Sequence, residues 1–203
     1  MPMPSQDADV ERAILNETPI RSTMFLQTID STNDYAKELL AENTALSFPL
    51  LISAGEQTAG RGRGAKKWWT GKGAVAVSLV LDLTEFRLDR SDLTILSPLV
   101  AEVVGDTIRN MIGDEHSVEI HLPNDVYLHG KKVCGILIES PKPGCAIFGI
   151  GINTNNSVAH IPDEWKEVPI TTILDETGQT TDHAVFLVAL FNRFFAKIIP
   201  LPN

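Results

Sequence analysis

Residues 57–68 read Gln-Thr-Ala-Gly-Arg-Gly-Arg-Gly-Ala-Lys-Lys-Trp and lie between two apolar runs, Phe-Pro-Leu-Leu-Ile-Ser-Ala at 48–54 and Ala-Val-Ala-Val-Ser-Leu-Val-Leu-Asp-Leu at 74–83. The runs are short and rich in Val, Ile and Leu, which reads as strands buried in a core. The segment between them has neither helical nor strand period, so it is a loop. A loop suspended between core strands is held by a scaffold, and such loops carry function more often than basic tails at a terminus. Its chemistry points to an anion. Glycine permits close main-chain approach, arginine forks match carboxylate or phosphate oxygens, and free amides add donors. Background composition does not explain Arg61, Arg63, Lys66 and Lys67 so close together, because the chain has 17 Lys and Arg against 26 Asp and Glu. A solvated basic loop and a nucleic-acid patch are the competing readings of this string.

Upstream, residues 21–29 have strand character and run into Asp30-Ser31-Thr32-Asn33, where Ser and Asp can cap a helix carried on by Tyr35, Ala36, Leu39 and Leu40. Hydroxyls at a helix N-terminus either cap it or meet a polar ligand. Before this strand, residues 1 to about 10 read as frayed and 10–15 as a short helix, an N-terminal extension over 1–20 ahead of a domain over 21–203.

Downstream, Ser91 is the expected cap of a long helix whose Leu93, Leu96, Val100, Val103, Val104 and Ile108 recur at core-packing spacing. A strand over 117–122 breaks at Pro123-Asn124-Asp125, resumes over 126–128, turns at His129-Gly130 and runs out over 132–139, which predicts a hairpin with a polar break in its first strand. Lys132 lies in this apolar strand, where an unpartnered ammonium is expensive, so it faces a ligand anion or Asp125 across the hairpin. Asn124 and Asp125 read either as turn formers or as chemical groups. A strand over 145–152 ends in Gly149-Ile-Gly-Ile-Asn153, followed by a polar loop over 155–169, a short helix over 171–177 and a last helix capped by Asp182.

At 203 residues and 43% hydrophobic content the chain can bury one core as a single domain. It carries no stretch apolar enough to span a membrane and no secretory leader pattern, so a cytoplasmic protein is expected. A net charge of −9 argues against non-specific nucleic-acid binding. Cys134 and Cys145 sit in apolar runs without paired spacing and read as buried thiols.

Asp30-Ser-Thr-Asn33, 57–63, Trp68, Pro123-Asn-Asp125, Lys131-Lys-Val-Cys-Gly-Ile-Leu137 and Gly149-Ile-Gly-Ile-Asn153 together resemble, in order and spacing, the catalytic domain of biotin protein ligases. The resemblance covers about residues 21–195. It implies an α+β fold, a mixed β-sheet with helices packed on it, related to lipoate ligases and to class II aminoacyl-tRNA synthetase cores. In that family biotin and ATP give biotinyl-AMP, which passes biotin to a lysine of a biotin carboxyl carrier protein, as in acetyl-CoA carboxylase.

By resemblance, Ser31, Thr32, Asn33 and Gln57 would bind biotin, with the main chain at Arg61 and Gly62 and with Gly135 lining its pocket. Arg63 and Lys132 would hold the carboxylate and α-phosphate as catalytic groups. Lys66, Trp68, Asn124 and Asn153 would contact ATP. Asp125 would take the incoming lysine's proton or place Mg2+. A homodimer is a further possibility, whereas DNA and membrane partners are not expected.

The sequence departs from the family in two places. His121-Leu122 stand where Lys-Trp is usual, and Gly64-Ala65 where the loop commonly reads Arg-Gly. Strand alternation would put Leu122 on the face of Ile120 and keep an apolar contact there. The resemblance includes no helix-turn-helix domain before residue 20, so a single-function ligase without the DNA-binding repressor role is expected, and no small C-terminal β-domain, so weak transfer to the carrier is expected. A lipoate or octanoate transferase, and a biotin or biotinyl-AMP binder without transfer, are the alternatives.

Overall fold

The computed structural model describes residues 5–42, 45–165 and 168–198. Its elements in chain order are α1 (Ser5–Glu17), β1 (Ser22–Ile29), α2 (Thr32–Ala41), β2 (Leu50–Gln57), β3 (Val75–Asp82), α3 (Leu93–Ile112), β4 (Val118–His121), β5 (Asp125–Leu128), β6 (Lys131–Glu139), β7 (Cys145–Ile152), α4 (Ile173–Thr177) and α5 (His183–Ile198). The strands make one seven-stranded sheet in the order β1-β2-β3-β7-β6-β5-β4. Only the β1–β2 pair is parallel, so the sheet is mixed, and the fold is α+β.

Strand alternation divides the sheet into two unlike faces. Val75, Val77, Leu79 and Leu81 of β3, with Ala146, Phe148, Ile150 and Ile152 of β7, enter a large core with α1, α3 and α5. On the opposite face Leu50, Ile52, Val80, Cys145 and Ile147 pack under Ala36 and Leu40 of α2. The short α2 covers only part of that face. Beyond it the inward positions of β3, β6 and β7 turn small: Ala76, Ser78, Gly135, Gly149 and Gly151. A sheet face with small side chains and no covering helix is a floor on which a ligand can lie.

Several expectations are corrected. Of the residues read as frayed, 1–4 lie outside the described residues, and the short helix expected over 10–15 begins earlier, as α1 from Ser5, with Val10, Ile14 and Ile20 buried in the main core. The long helix is not capped by Ser91; Asp92 holds the N-cap position without a side-chain cap bond, and Ser91 bonds Asp89 instead. Pro123-Asn124-Asp125 is a reversal rather than a break within one strand. β4 and β5 run antiparallel, with His121 opposite Asp125 and Glu119 opposite Tyr127. Leu122 therefore lies outside the strand and is 71% exposed, while Ile120 packs on the core. Cys134 and Cys145 are free and buried, as expected, and burial pushes both thiols up. Among the described residues no helix is long and apolar enough to cross a membrane.

Candidate active site

The α2 N-terminus is built by its own sequence. Ser31, in extended conformation, accepts from the Asp34 amide and starts the helix directly after β1. This sets Thr32 and Asn33 over the sheet, where both are buried. Gln57, at the end of the neighbouring β2, accepts through Oε1 from the Thr32 amide at 2.9 Å and the Thr32 hydroxyl at 3.2 Å. Its Nε2 donates to Thr70 Oγ1 at 3.0 Å, so both ends of the carboxamide are oriented. Ser78 on β3 lies 2.8 Å from Thr32 Oγ1 and 2.6 Å from Asn33 Oδ1. Asn33 Nδ2 donates to Leu137 O at 3.3 Å and to Glu139 Oε2 at 2.9 Å. The result is a pre-formed set of hydroxyls and amides beside a glycine floor.

The basic loop is folded as a small hairpin. Trp68 N donates to Gly60 O at 2.8 Å, Gly62 N to Lys66 O at 2.8 Å, and Arg61 bridges Lys67. Gly64 turns the tip at φ 64, a conformation that suits glycine. The returning arm lays Trp68 on the floor, within 3.1 Å of where a Cβ on Gly135 would stand, while a Cβ on Gly151 would collide with its indole nitrogen. The closeness of that packing explains both glycines. Trp68 Nε1 is buried without a hydrogen-bond partner among the described residues, an expensive state that a ligand acceptor would relieve.

Two cavities meet at this loop. The first, about 520 Å³, runs from Ser31, Thr32 and Gln57 past Gly62 and Arg63 to Asn124. The second, about 670 Å³, is walled by Trp69, Tyr127, Asn153, Trp165 and Ile170. Lys66, Lys67, Trp68, Asp125 and Lys132 line both. Each volume is in the range of small-molecule sites. At the shared wall Lys132 Nζ lies 2.8 Å from Asp125 Oδ1, with the two side chains 20% and 24% exposed, and 5.7 Å from the Trp68 ring centre. Lys132 is thus paired across the hairpin, as its place in an apolar strand required.

Every residue singled out from the sequence except Asn153 borders the first cavity. Arg61 does so while its guanidinium is bonded to Asp34 at 2.7 Å and Glu139 at 2.6 Å. Arg63 stays at the loop's outer end, its Nη1 3.2 Å from Asn124 Oδ1. Asn124 also donates to Asp125 Oδ1 and Ile136 O, both at 3.1 Å. Asn153 borders the second cavity, with both ends of its carboxamide committed to Thr171 O and Asn156 Nδ2. It therefore orders the cavity wall.

The donor set does not fit a resident magnesium site. Asp125 is a single carboxylate already bonded to Lys132 and Asn124, and the described residues hold no group of three or more His, Cys, Asp or Glu able to bind a metal. Sequence reasoning missed Ser78, Thr70 and Glu139. Ser78 is the one hydroxyl in the 74–83 run, and Glu139 a charge closing an apolar strand; both were visible as exceptions to pattern.

The family model of the biotin/lipoate A/B protein ligase family matches residues 25–155. The chain belongs to that family. The Paracoccus denitrificans protein named biotin–[acetyl-CoA-carboxylase] ligase is 32% identical over 174 residues, 84% of this chain and 70% of its own length. The Bacillus subtilis protein named bifunctional ligase/repressor BirA is 32% identical over 183 residues, 88% of this chain but 54% of its own, so the chain spans about half of that relative. Among solved structures, biotin protein ligase from Aquifex aeolicus in complex with biotin and ATP superposes with a TM-score of 0.73 at 30% identity, over 88% of this chain and 70% of that one.

Proposed function

We propose that this chain activates biotin with ATP as biotinyl-5′-AMP and transfers the biotin to a lysine of a biotin carboxyl carrier domain, such as that of acetyl-CoA carboxylase. The observation that carries this reading is the pair of cavities joined at Lys132 and Asp125. Two substrates that must react with each other need adjoining compartments with the reacting atoms between them, and such positioning supplies much of the rate.

In the first step a biotin carboxylate oxygen attacks the α-phosphorus of ATP, and the bond from that phosphorus to pyrophosphate breaks. No enzyme nucleophile is required. Charge gathers on the phosphate oxygens, and Lys132 at the shared wall with Arg63 on the loop are the cations in place to stabilise it. Trp68, with an unpaired indole N–H, flanks the nucleotide side. Magnesium would arrive bound to the ATP phosphates and neutralise part of their charge. In the second step the carrier amine attacks the biotinyl carbonyl carbon, AMP leaves, and the amine loses a proton, for which Asp125 is the adjacent base.

The polar end of the first cavity favours biotin over lipoate or octanoate. A bicyclic ureido head offers two N–H donors and a carbonyl to Ser31, Thr32, Asn33 and Gln57, whereas an acyl tail would displace water from these groups without replacing its hydrogen bonds. The names of the Paracoccus and Aquifex proteins support the same choice. Exchange of labelled pyrophosphate into ATP, run with biotin, lipoate or octanoate, tests it. Exchange that depends on biotin alone is expected; exchange with lipoate and not with biotin would overturn the assignment.

A further inference from the structure

Beside the first cavity four charged side chains close into a ring. Arg61 bonds Asp34 Oδ2 through Nε at 2.7 Å and Glu139 Oε2 through Nη2 at 2.6 Å. Lys37 Nζ bonds Asp34 Oδ1 at 3.1 Å and Glu139 Oε1 at 2.8 Å. Each anion thus meets both cations. Partial burial would by itself raise the carboxyls of Asp34 and Glu139, but the bonds from Arg61 and Lys37 outweigh it and hold both below the usual range. Isolated pairs with this much exposure contribute little, but a ring fixes each long side chain once and uses it twice.

Glu139 is the member that reaches furthest. Its Oε2 also accepts from Asn33 Nδ2 at 2.9 Å, the carboxamide whose oxygen meets Ser78. Through Arg61 it holds the hairpin's first arm, because Arg61 bridges Lys67 and the neighbouring Gly60 receives the Trp68 amide. One carboxylate at the end of β6 therefore ties together the loop, the α2 N-terminus and the sheet. The loop's tip is not held this way: Arg63 reaches across the cavity to Asn124.

We propose that Glu139 is a positioning residue: acting through Arg61 and Asn33, it fixes the base of the basic loop against α2 and so sets how tightly the acid substrate and its adenylate are kept in the first cavity. This rests on the adenylate-forming reading above. The loop then has a fixed base and a movable tip. Loss of Glu139 should free the base and loosen the acid side of the site, while the second cavity, which shares Lys67 and Trp68 with the hairpin but is lined by none of the four ring residues and is walled also by Trp69, Tyr127 and Trp165, should change its nucleotide affinity far less.

The test compares wild-type protein with Glu139→Ala and Glu139→Gln. Glutamine keeps one acceptor oxygen without the charge, and serves as the readable variant if alanine does not fold. Tryptic cleavage after Arg63, Lys66 and Lys67, measured without any ligand, reads the latch directly. Steady-state kinetics and adenylate dissociation read its consequence. For Glu139→Ala, loop cleavage, the KM for biotin and the adenylate release rate should each rise by about tenfold, with the KM for ATP within about twofold and Glu139→Gln in between, as expected for losing charge-assisted bonds in a partly exposed network. Unchanged loop cleavage would overturn the proposal. So would a uniform loss in which both KM values, kcat and melting temperature move together, since that marks a merely structural residue. If wild-type protein forms no adenylate with biotin, the functional reading fails, and the cleavage comparison still decides the latch.

Discussion

Lys132→Met removes the ammonium at the wall between the two cavities while keeping most of the side chain's length and apolar contact. Two effects follow, and their sizes differ. The first is on the fold: Asp125 loses its partner at 2.8 Å but keeps the bond from Asn124 Nδ2 at 3.1 Å, and at 24% exposure it reaches water. A pair so placed contributes about 1 kcal/mol, between the values for exposed pairs and for hydrogen bonds to charged groups, which corresponds to roughly 2–4 °C in melting temperature for a chain of this size. The second is on the chemistry. A preorganised donor aimed at developing oxyanion charge is worth about 3–4 kcal/mol, so biotin-dependent pyrophosphate release should fall on the order of a hundred- to a thousandfold. The assay is single-turnover pyrophosphate release at saturating biotin and ATP, beside a thermal melt. A variant releasing pyrophosphate within about threefold of wild type would refute the placement of Lys132 at the reacting atoms, and one that melts far lower would shift the loss to folding.

Arg63→Gly should still form adenylate, more slowly, but also release it faster and label bystander protein lysines, as a cation that both stabilises and retains the anion would require; slow synthesis with wild-type release would contradict the retention role. A Cβ on Gly149 would run into the Asn33 carboxamide and one on Gly151 into the Trp68 indole. Gly149→Ala should therefore raise the KM for biotin alone, and Gly151→Ala, which displaces the Trp68 wall shared by both cavities, the KM values for biotin and ATP together, each by roughly tenfold as overpacking costs imply; a Gly151→Ala variant with an unchanged KM for ATP would deny the shared wall. The Asp34–Arg61–Glu139–Lys37 ring should be insensitive to pH from neutrality down to the ordinary carboxylate range. Both carboxyls are depressed in the folded state, so their contribution is present above their unfolded pKa values, about 4, and is lost as pH falls through the lower folded values. The Arg61 Nε–H resonance should stay protected at pH 5 and be lost only in stronger acid; loss between pH 7 and 6 would contradict this.

Much of this site could be read before its geometry was known, because it rests on local rules. Ser31 follows a strand and precedes a helical pattern, which fixes a cap whatever the rest of the chain does. The loop over 57–68 is bracketed by two short apolar runs, which read as buried strands and so mark the segment between them as a held loop. The misread parts depend on partners far along the chain. A proline-led Pro123-Asn124-Asp125 serves equally as a break or a reversal, and only the pairing of β4 with β5 decides. α1 is an unremarkable amphipathic segment until α5, from the far end of the chain, supplies its partner surface. The resemblance assigns Arg61 to the pocket by its main chain only, with no role for its side chain. Its partners Asp34 and Glu139 lie 27 and 78 residues away, and no spacing rule reaches that far. Across 89–92, Asp89, Ser91 and Asp92 can each cap a helix, and which one stands at its start is settled by bonds among them.

On the proposed function, the two cavities meeting at Lys132 and Asp125 join an acid to a nucleotide and then to a protein amine. The most direct test is to incubate this chain with ATP, biotin and an isolated biotin carboxyl carrier domain, and to read the carrier by intact-mass and peptide mass spectrometry. The account predicts one biotin on one carrier lysine, dependent on ATP and absent with Lys132→Met. A carrier left unmodified while adenylate accumulates, or one acylated with lipoate and never with biotin, would contradict it.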